Sequence, residues 1–149
     1  MDAKSFLQLY QDSLGHNLHR IGQLMREETS RVLQSYDLTP EQWQLLIALV
    51  RSDGVTPTEL GTMTLRDKTT ISRILPGLFR KGLIVRAVNP QDARSYVVKA
   101  TEPCKEMVES SLLAIKDHFE AEVLAPLTKE EQATLLEMLH KLRKGLGDL

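Results

Sequence analysis

The chain has 149 residues, of which 42% are hydrophobic and 26% are charged, and its formal net charge is −1. This length predicts one domain, residues 1–149, with a core of its own. No apolar run reaches the ~20 residues of a membrane span and the N-terminus lacks the apolar block of a signal peptide, so the sequence excludes a membrane protein and predicts a cytoplasmic one.

The N-terminal stretch predicts one long helix over residues 3–36. Its apolar residues recur at steps of three, four or seven and therefore lie along one side. At ~1.5 Å per residue the stripe is more than ~45 Å long, which is too long for a small neighbouring unit to cover. Its members are Phe6, Tyr10, Leu14, Leu18, Ile21, Met25, Val32 and Tyr36.

A capping box, Thr39-Pro40-Glu41-Gln42, predicts that a second helix begins there. The helix is expected to end at residues 52–54, where Ser-Asp-Gly follows. Its spacing is that of a helix lying inside the domain, and its predicted core residues are Trp43, Leu46, Ile47 and Val50.

Two short helices follow, separated by a turn. Thr56-Pro57-Thr58-Glu59 is another capping box, and Leu60 and Met63 are the expected inward residues of the first helix. Asp67 is the expected N-cap of the second helix. Pro76 lies inside that second helix, where proline is expected to kink or break it. Gly82 is expected to end it in the left-handed conformation. The apolar stripe of the second helix comprises Ile71, Ile74, Leu75, Leu78 and Phe79.

The next stretch predicts a β-hairpin. Residues 83–88 and 95–100 are rich in the branched side chains that suit strands, and Asn89-Pro90-Gln91-Asp92-Ala93 predicts the turn between them. Together with the preceding helices, the hairpin predicts a winged helix-turn-helix over residues 38–100. The fold class is mostly α with a small two-stranded β wing.

Two more helices are expected after the wing. Thr101 begins the first, which Pro126 stops, and a third capping box at Thr128 begins the last. The apolar stripes of these helices, like that of residues 3–36, exceed what the winged unit can bury, which predicts a homodimer built from residues 3–36 and 101–146. The stripes comprise Val108, Leu112, Ile115, Phe119 and Val123, then Leu135, Leu136, Leu139, Leu142 and Leu146.

The charge of the chain is unevenly distributed. Between Arg66 and Lys99 there are eight basic and two acidic residues, so this window carries +6 while the rest of the chain carries −7. A basic face on a helix and a hairpin tip suits double-stranded DNA. A membrane surface is a poorer match, because the apolar residues of this helix are needed to close a small core.

The run DKTTISRILPGLFRKGLIVRAVNPQDARSYVVKAT, residues 67–101, resembles the signature of the MarR family of bacterial regulators. The shared features are a recognition helix, a Lys-Gly-Leu helix stop, a strand ending in Arg and an Asp-x-Arg wing motif at Asp92-Ala93-Arg94. The resemblance implies a homodimeric, sequence-specific regulator of transcription. It also implies a near-palindromic DNA operator and, in most cases, repression that a small molecule releases.

Candidate DNA-binding residues follow from the helix face and from the resemblance. In the family the wing arginine enters the minor groove and the wing aspartate holds it in place, which implies these roles for Arg94 and Asp92. Arg80 and Lys81 are weaker candidates that would touch only phosphate. The full set is Lys68, Thr69, Thr70, Ser72, Arg73, Arg86, Asp92 and Arg94.

The resemblance also implies an effector, often an aromatic acid or another phenolic compound, bound between the dimer helices and the winged unit. In this chain that region would include His19, Trp43 and Ile47. Core packing explains Trp43 and His19 equally well. No cofactor is expected.

The sequence leaves three alternatives open. The basic face of a winged helix can instead bind an acidic protein partner. Cys104, the single cysteine, lies one turn into a helix, where it is either a half-buried structural thiol or, because the dipole favours a reactive thiolate, a redox sensor. His16 and His19 have a spacing that can chelate zinc, although no further ligands complete a site and no metal is expected. No catalytic motif is present, so an enzyme is not expected.

Overall fold

The computed structural model describes all residues, 1–149. Residues 1–113 form one compact unit and residues 114–149 form a second. The structure is mostly helical with one two-stranded antiparallel sheet, which confirms the predicted fold class. Its elements are α1 (Ala3–Gln11), α2 (Leu14–Leu33), α3 (Pro40–Val50), α4 (Pro57–Thr64), α5 (Lys68–Arg80), β1 (Ile84–Val88), β2 (Tyr96–Ala100), α6 (Glu102–His118) and α7 (Lys129–Gly145).

The prediction of one continuous helix over residues 3–36 is wrong, because α1 and α2 are separated at Asp12 and Ser13. Ser13 has an extended backbone with ψ 148°, and its hydroxyl accepts the backbone N–H of His16 at 3.1 Å. The serine therefore begins a new helix, since its side chain satisfies one of the N–H groups left free at a helix start. The helical spacing of the apolar residues continues through this break, so the sequence pattern did not reveal it.

The three capping boxes are confirmed at Thr39, Thr56 and Thr128. Each threonine hydroxyl accepts the backbone N–H of the residue three positions later at 3.1 Å. The side chain of that later residue, Gln42 or Glu59 in the first two boxes, accepts the threonine N–H in return. These are local bonds within four residues, which is why the starts of α3, α4 and α7 were predictable.

The core of residues 1–113 lies between α3, α4, α5 and the sheet. The predicted core face of α3 is only partly correct, because Leu45, Leu46 and Leu49 are fully buried while Trp43, Ile47 and Val50 are half-buried. α3 packs against both α4 and β2. Met63, predicted to face inward, is 49% exposed, because the eight-residue helix α4 buries only Leu60 and Gly61.

The sheet consists of β1 and β2, which pair antiparallel with Arg86 opposite Val98 and Val88 opposite Tyr96. Val55, just before α4, forms a further bridge to Val98 through two backbone hydrogen bonds of 2.8 and 3.2 Å. This bridge holds the start of α4 against the inner strand of the wing. Because this bridge involves a single residue, Val55, it leaves no alternating pattern in the sequence and was not predicted.

Several helices carry apolar residues that remain uncovered. α1 and α7 have no buried residue. Phe6 is 65% exposed, and Leu136 and Leu142 are 53% and 52% exposed. None of the helices combines the length and the apolar character that crossing a bilayer requires.

Candidate nucleic-acid interface

α4 and α5 are joined by a turn that needs two unusual backbone features. Leu65 adopts the left-handed conformation with φ 54°. Gly61 allows a close approach, because a Cβ atom there would lie 2.8 Å from the carbonyl oxygen of Arg66. The Arg66 N–H in turn donates to the Gly61 carbonyl at 2.9 Å. The turn therefore fixes the direction in which α5 leaves α4.

Asp67 caps α5 as the sequence predicts. Its carboxylate accepts the Thr70 backbone N–H at 2.7 Å. The hydrogen bonds from the Thr70 backbone and side chain, together with the nearby charge of Arg73, lower the pKa of Asp67. The first turn of α5 thus begins with a fixed negative charge at its positive end, which is the favourable arrangement for a helix dipole.

α5 buries one face and exposes the other. Ile71, Leu75 and Leu78 are buried, whereas the candidate DNA-binding residues Lys68, Thr69, Ser72 and Arg73 are exposed and Thr70 is half-buried. The exposed face presents two cations and two hydroxyl groups in its first two turns. It therefore offers donors and acceptors of the kinds that read base edges and phosphates.

Pro76 does not break α5, which continues to Arg80. Proline lacks the N–H that would bond to the carbonyl of Ser72. Both Ser72 and Pro76 lie on the exposed face, where solvent can satisfy the carbonyl that loses its partner. Gly82 has φ 70° and ends the helix region in the predicted left-handed conformation.

A groove of about 550 Å³ runs beside the exposed face of α5. Four arginines line it, Arg73 and Arg80 from α5 together with Arg26 and Arg66. Arg26 forms an ion pair with Glu41 at 2.6 Å. Although partial burial acts to raise the pKa of Glu41, this hydrogen-bonded arginine and the charge of Arg66 lower it. The groove remains rich in positive charge.

The sequence did not indicate that Arg26 belongs to this groove, because the residue lies in the stretch predicted to form only dimer helices. The four arginines come from three separate stretches of the chain. Their convergence depends on how α2, α3 and α5 pack, and no spacing within one stretch reveals it.

The tip of the wing is ordered by short-range hydrogen bonds. Asp92 accepts the Arg94 backbone N–H at 3.0 Å, and Asn89 donates through Nδ2 to the Ser95 hydroxyl at 2.8 Å. The Arg94 side chain is 96% exposed, with its Nε 3.7 Å from an Asp92 carboxylate oxygen. The loop therefore presents the arginine from a fixed backbone, and the Asp92 carboxylate lies beside it.

Arg86 and Lys81 have different surroundings from Arg94. Arg86 lies on β1 with its guanidinium over the rings of Phe79 and Tyr96. Lys81 follows the last residue of α5 and donates to the backbone carbonyl of Asp37, whose carboxylate lies 3.5 Å away. The Lys81 ammonium is thus already engaged within the chain.

The three candidate effector residues are not joined by any hydrogen bond or ring contact. His19 is exposed on α2, and Ile47 is half-buried on α3. Trp43 donates through Nε1 to the hydroxyl of the buried Ser111 at 2.8 Å, and Ser111 donates to the Val108 carbonyl at 3.0 Å. The polar atom of the tryptophan therefore has a structural partner on α6.

The redox and metal alternatives receive no support from the structure. Cys104 is fully buried, and burial raises the pKa of its thiol to about 11 despite the opposing charge of Lys105. The expectation that the helix dipole favours a thiolate here is wrong, because desolvation outweighs it. His16 packs against Tyr10 with ring centroids 4.6 Å apart, and no group of three or more potential ligands is placed to hold a metal ion.

Comparison with known proteins assigns the family. The model of the MarR family matches residues 36–95. The multiple antibiotic resistance protein MarR of Salmonella typhimurium is 30% identical over 129 residues, which cover 84% of this chain and 90% of that protein. The chain belongs to the MarR family. The resemblance seen in residues 67–101 is thereby confirmed, and the MarR family is one of transcriptional regulators rather than enzymes.

Solved structures of MarR-family proteins share the fold. A mutant of MarR from Escherichia coli complexed with operator DNA is 29% identical, with a TM-score of 0.78 over 87% of this chain and 92% of that one. A probable transcriptional regulator from Pseudomonas aeruginosa is 30% identical, with a TM-score of 0.79 over 89% of this chain and 98% of that one. The similarity includes both the winged unit and helices outside it, because it extends over most of both chains.

Proposed function

We propose that this MarR-family regulator binds a near-palindromic DNA operator as a homodimer and represses transcription until a small molecule releases it. The observation that carries the proposal is the exposed polar and basic face of α5 beside the exposed Arg94 of the wing. A similar fold has been solved on operator DNA. A protein with these properties acts where the chromosome is, in the cytoplasm.

The proposed DNA-binding region is residues 38–100. α5 enters the major groove, where the Arg73 guanidinium can donate two hydrogen bonds to guanine. The wing places Arg94 at the adjacent minor groove, with Asp92 holding it, because a narrow groove concentrates negative potential. The proposed contact surface comprises Lys68, Thr69, Thr70, Ser72, Arg73, Asp92 and Arg94, and Arg86 of β1 supports it from behind the wing.

The proposed dimer regions are residues 3–36 and 101–146, within a functional domain that spans residues 1–149. Leu7, Leu9 and Tyr10 of α1 are 63%, 60% and 58% exposed. A single chain would leave these residues and the α7 leucines in water, and apolar patches of this kind mark interfaces. A second copy is the simplest partner, since a two-fold axis pairs identical surfaces.

The proposed effector is a small aromatic or phenolic compound that touches His19, Trp43 and Ile47. Trp43 is the only tryptophan, so its fluorescence reports directly on this region. Titration of the DNA complex with aromatic acids should change that fluorescence at the concentrations that release DNA. The control is a Trp43→Phe variant, whose DNA release is measured directly. If a compound releases DNA from this variant at the same concentration as from the wild type, the effector binds elsewhere.

Selection of genomic fragments followed by footprinting tests the proposal. The expected site has two half-sites whose centres lie about 10 bp apart, because this spacing puts both recognition helices on one face of the duplex. Protection of a single asymmetric half-site by a monomer would contradict the dimeric mode. Binding without site selectivity would instead favour a protein-interaction module.

A further inference from the structure

The Arg86 guanidinium lies over two aromatic rings from different elements. Its Cζ is 5.0 Å from the centroid of the Phe79 ring and 4.5 Å from the centroid of the Tyr96 ring. Phe79 belongs to the last turn of α5, Arg86 to the middle of β1 and Tyr96 to the start of β2. Both distances are within the range at which a cation is attracted to a ring face.

The strand register explains why the three side chains meet. Arg86 is opposite Val98, and Tyr96 precedes Val98 by two residues, so Arg86 and Tyr96 are diagonal neighbours on one face of the hairpin. Ile84 and Val98 lie on the same face and are buried at 2% and 0% exposure. Arg86 and Tyr96 continue this face toward the wing tip, beyond its fully buried part.

Arg86 has no acidic partner in the structure. Arg26, Arg31 and Arg94 each lie within 4.0 Å of a carboxylate oxygen, whereas the contacts of the Arg86 head group are with the two rings. A guanidinium has two flat faces that can contact rings, which a lysine ammonium does not have. The residue therefore joins the recognition helix to both wing strands by cation–ring contacts and not by an ion pair.

We propose that Phe79, Arg86 and Tyr96 form an aromatic clamp that fixes the angle between α5 and the wing, and that Arg86 acts in DNA binding as a positioning residue. This inference rests on the proposed function and assigns Arg86 a role through its neighbours. The clamp holds Arg94 at a set distance from Arg73. It thereby sets the spacing between the base pairs that α5 reads and the flanking minor groove that the wing enters.

The consequence for recognition concerns spacing. A clamped wing favours operators in which an A·T-rich flank lies at one fixed offset from the core motif, because Arg94 reaches a narrow minor groove only there. When the clamp is broken, the core motif remains preferred, since α5 is unchanged. The preference for the position of the flank should then weaken.

The test compares Tyr96→Leu and Arg86→Gln with Tyr96→Phe, which keeps the ring and serves as the matched control. Each variant is titrated against the operator and against operators whose flanks are displaced by one base pair, at several salt concentrations. We expect Tyr96→Leu and Arg86→Gln each to lose about three- to thirty-fold in affinity and to discriminate less between flank positions. The variant that combines Tyr96→Leu with Arg86→Gln should bind DNA as tightly as the more impaired single variant, because both substitutions break the same clamp.

The salt dependence distinguishes positioning from direct contact. Arg86→Gln should keep the wild-type slope of log K against log salt, whereas loss of a phosphate contact lowers that slope by about one per subunit. A lowered slope for Arg86→Gln would overturn the proposal, as would wild-type affinity and flank preference in Tyr96→Leu. If Tyr96→Leu does not fold, the Arg86→Gln variant, whose side chain is exposed, still tests the proposal through its salt slope and its preference for flank position.

A DNA-free measurement separates the clamp from the proposed function. In the free protein the Arg86 Nε–H proton should resonate upfield of an unstacked arginine, and Tyr96→Leu should remove much of this shift. An unshifted proton in the wild type would refute the clamp even if the operator is bound. A shifted proton in a protein that binds no operator would leave the clamp standing but overturn its role in recognition together with the proposed function.

Discussion

Replacing Arg94 by alanine should weaken operator binding without changing the stability of the protein. The side chain is 96% exposed, and its ion-pair partner Asp92 is 52% exposed at 3.7 Å. Exposed pairs contribute about 0–1 kcal/mol to stability. The backbone bond from the Arg94 N–H to Asp92 persists in the variant because it does not involve the side chain. The melting temperature of the variant should therefore stay close to that of the wild type.

The expected loss in DNA binding is larger than any loss in stability. One arginine–DNA contact contributes roughly 1–3 kcal/mol, which corresponds to about a five- to 150-fold change in Kd. A two-fold dimer presents two copies of Arg94, so the loss doubles in free energy if the two wings act independently. The salt slope should fall by about one for each phosphate interaction that is removed. The preferred core motif should stay unchanged.

Arg31→Ala is a suitable control for lost charge. Arg31 is also exposed, at 66%, and pairs with Glu28 at 2.6 Å, but it lies on α2 outside the wing. The assay is a titration of each variant against the operator and single-base variants at several salt concentrations, after the dimer and the melting curve have been checked. If Arg94→Ala binds as tightly as the wild type, the assignment of the wing to the minor groove is wrong.

Three further predictions concern base readout, assembly and the thiol. Arg73→Ala should relax the preference at one or two symmetry-related base pairs, measured on single-base operator variants; an unchanged preference would contradict base contact. Replacing Leu139 and Leu142 by aspartate should weaken dimer and DNA binding together, whereas sedimentation of the wild type as a stable micromolar monomer would contradict the architecture. Cys104 should resist a thiol reagent until denaturant is added, and rapid labelling of the native protein would show that the thiol is accessible. The free energy of unfolding should fall between pH 9 and pH 11, because the unfolded thiol ionises near 9.0 and the folded thiol near 11.

The parts of the fold that the sequence predicts correctly depend on neighbours within a few residues. The capping boxes at Thr39 and Thr56 and the cap at Asp67 each need only the next three residues. The hairpin is equally local, because its strands are joined by a short polar turn. Such features can be read from one stretch of chain, since the bonds that stabilise them are formed inside it.

One error concerns a local cap that the apolar period concealed, and the others concern features that packing decides. Ser13 interrupts the first helix although the apolar period continues, because a serine within that period can either continue a helix or cap a new one. The fully buried residues of α3 are Leu45, Leu46 and Leu49, and α3 packs against α4 and β2, which are remote from it in sequence or follow it only later in the chain. Packing also decides the pKa of the Cys104 thiol. Its position in the helix favours a thiolate, but burial by neighbours remote in sequence reverses the direction of the pKa shift.

The winged unit is joined to the neighbouring helices by a few polar bonds around residues 36–43. The Tyr36 hydroxyl bonds to Ser110 at 2.9 Å, and the Trp43 indole bonds to Ser111 at 2.8 Å. Between them along the chain, Asp37 accepts Lys81 at the end of α5. A ligand can shift an equilibrium only by its difference in affinity for the two states. An effector that favours a different arrangement of α6 and α3 would have to rearrange the bonds to Ser110 and Ser111. The same short segment also holds Lys81 at the end of α5, so we expect a rearrangement there to change how α5 is presented to DNA.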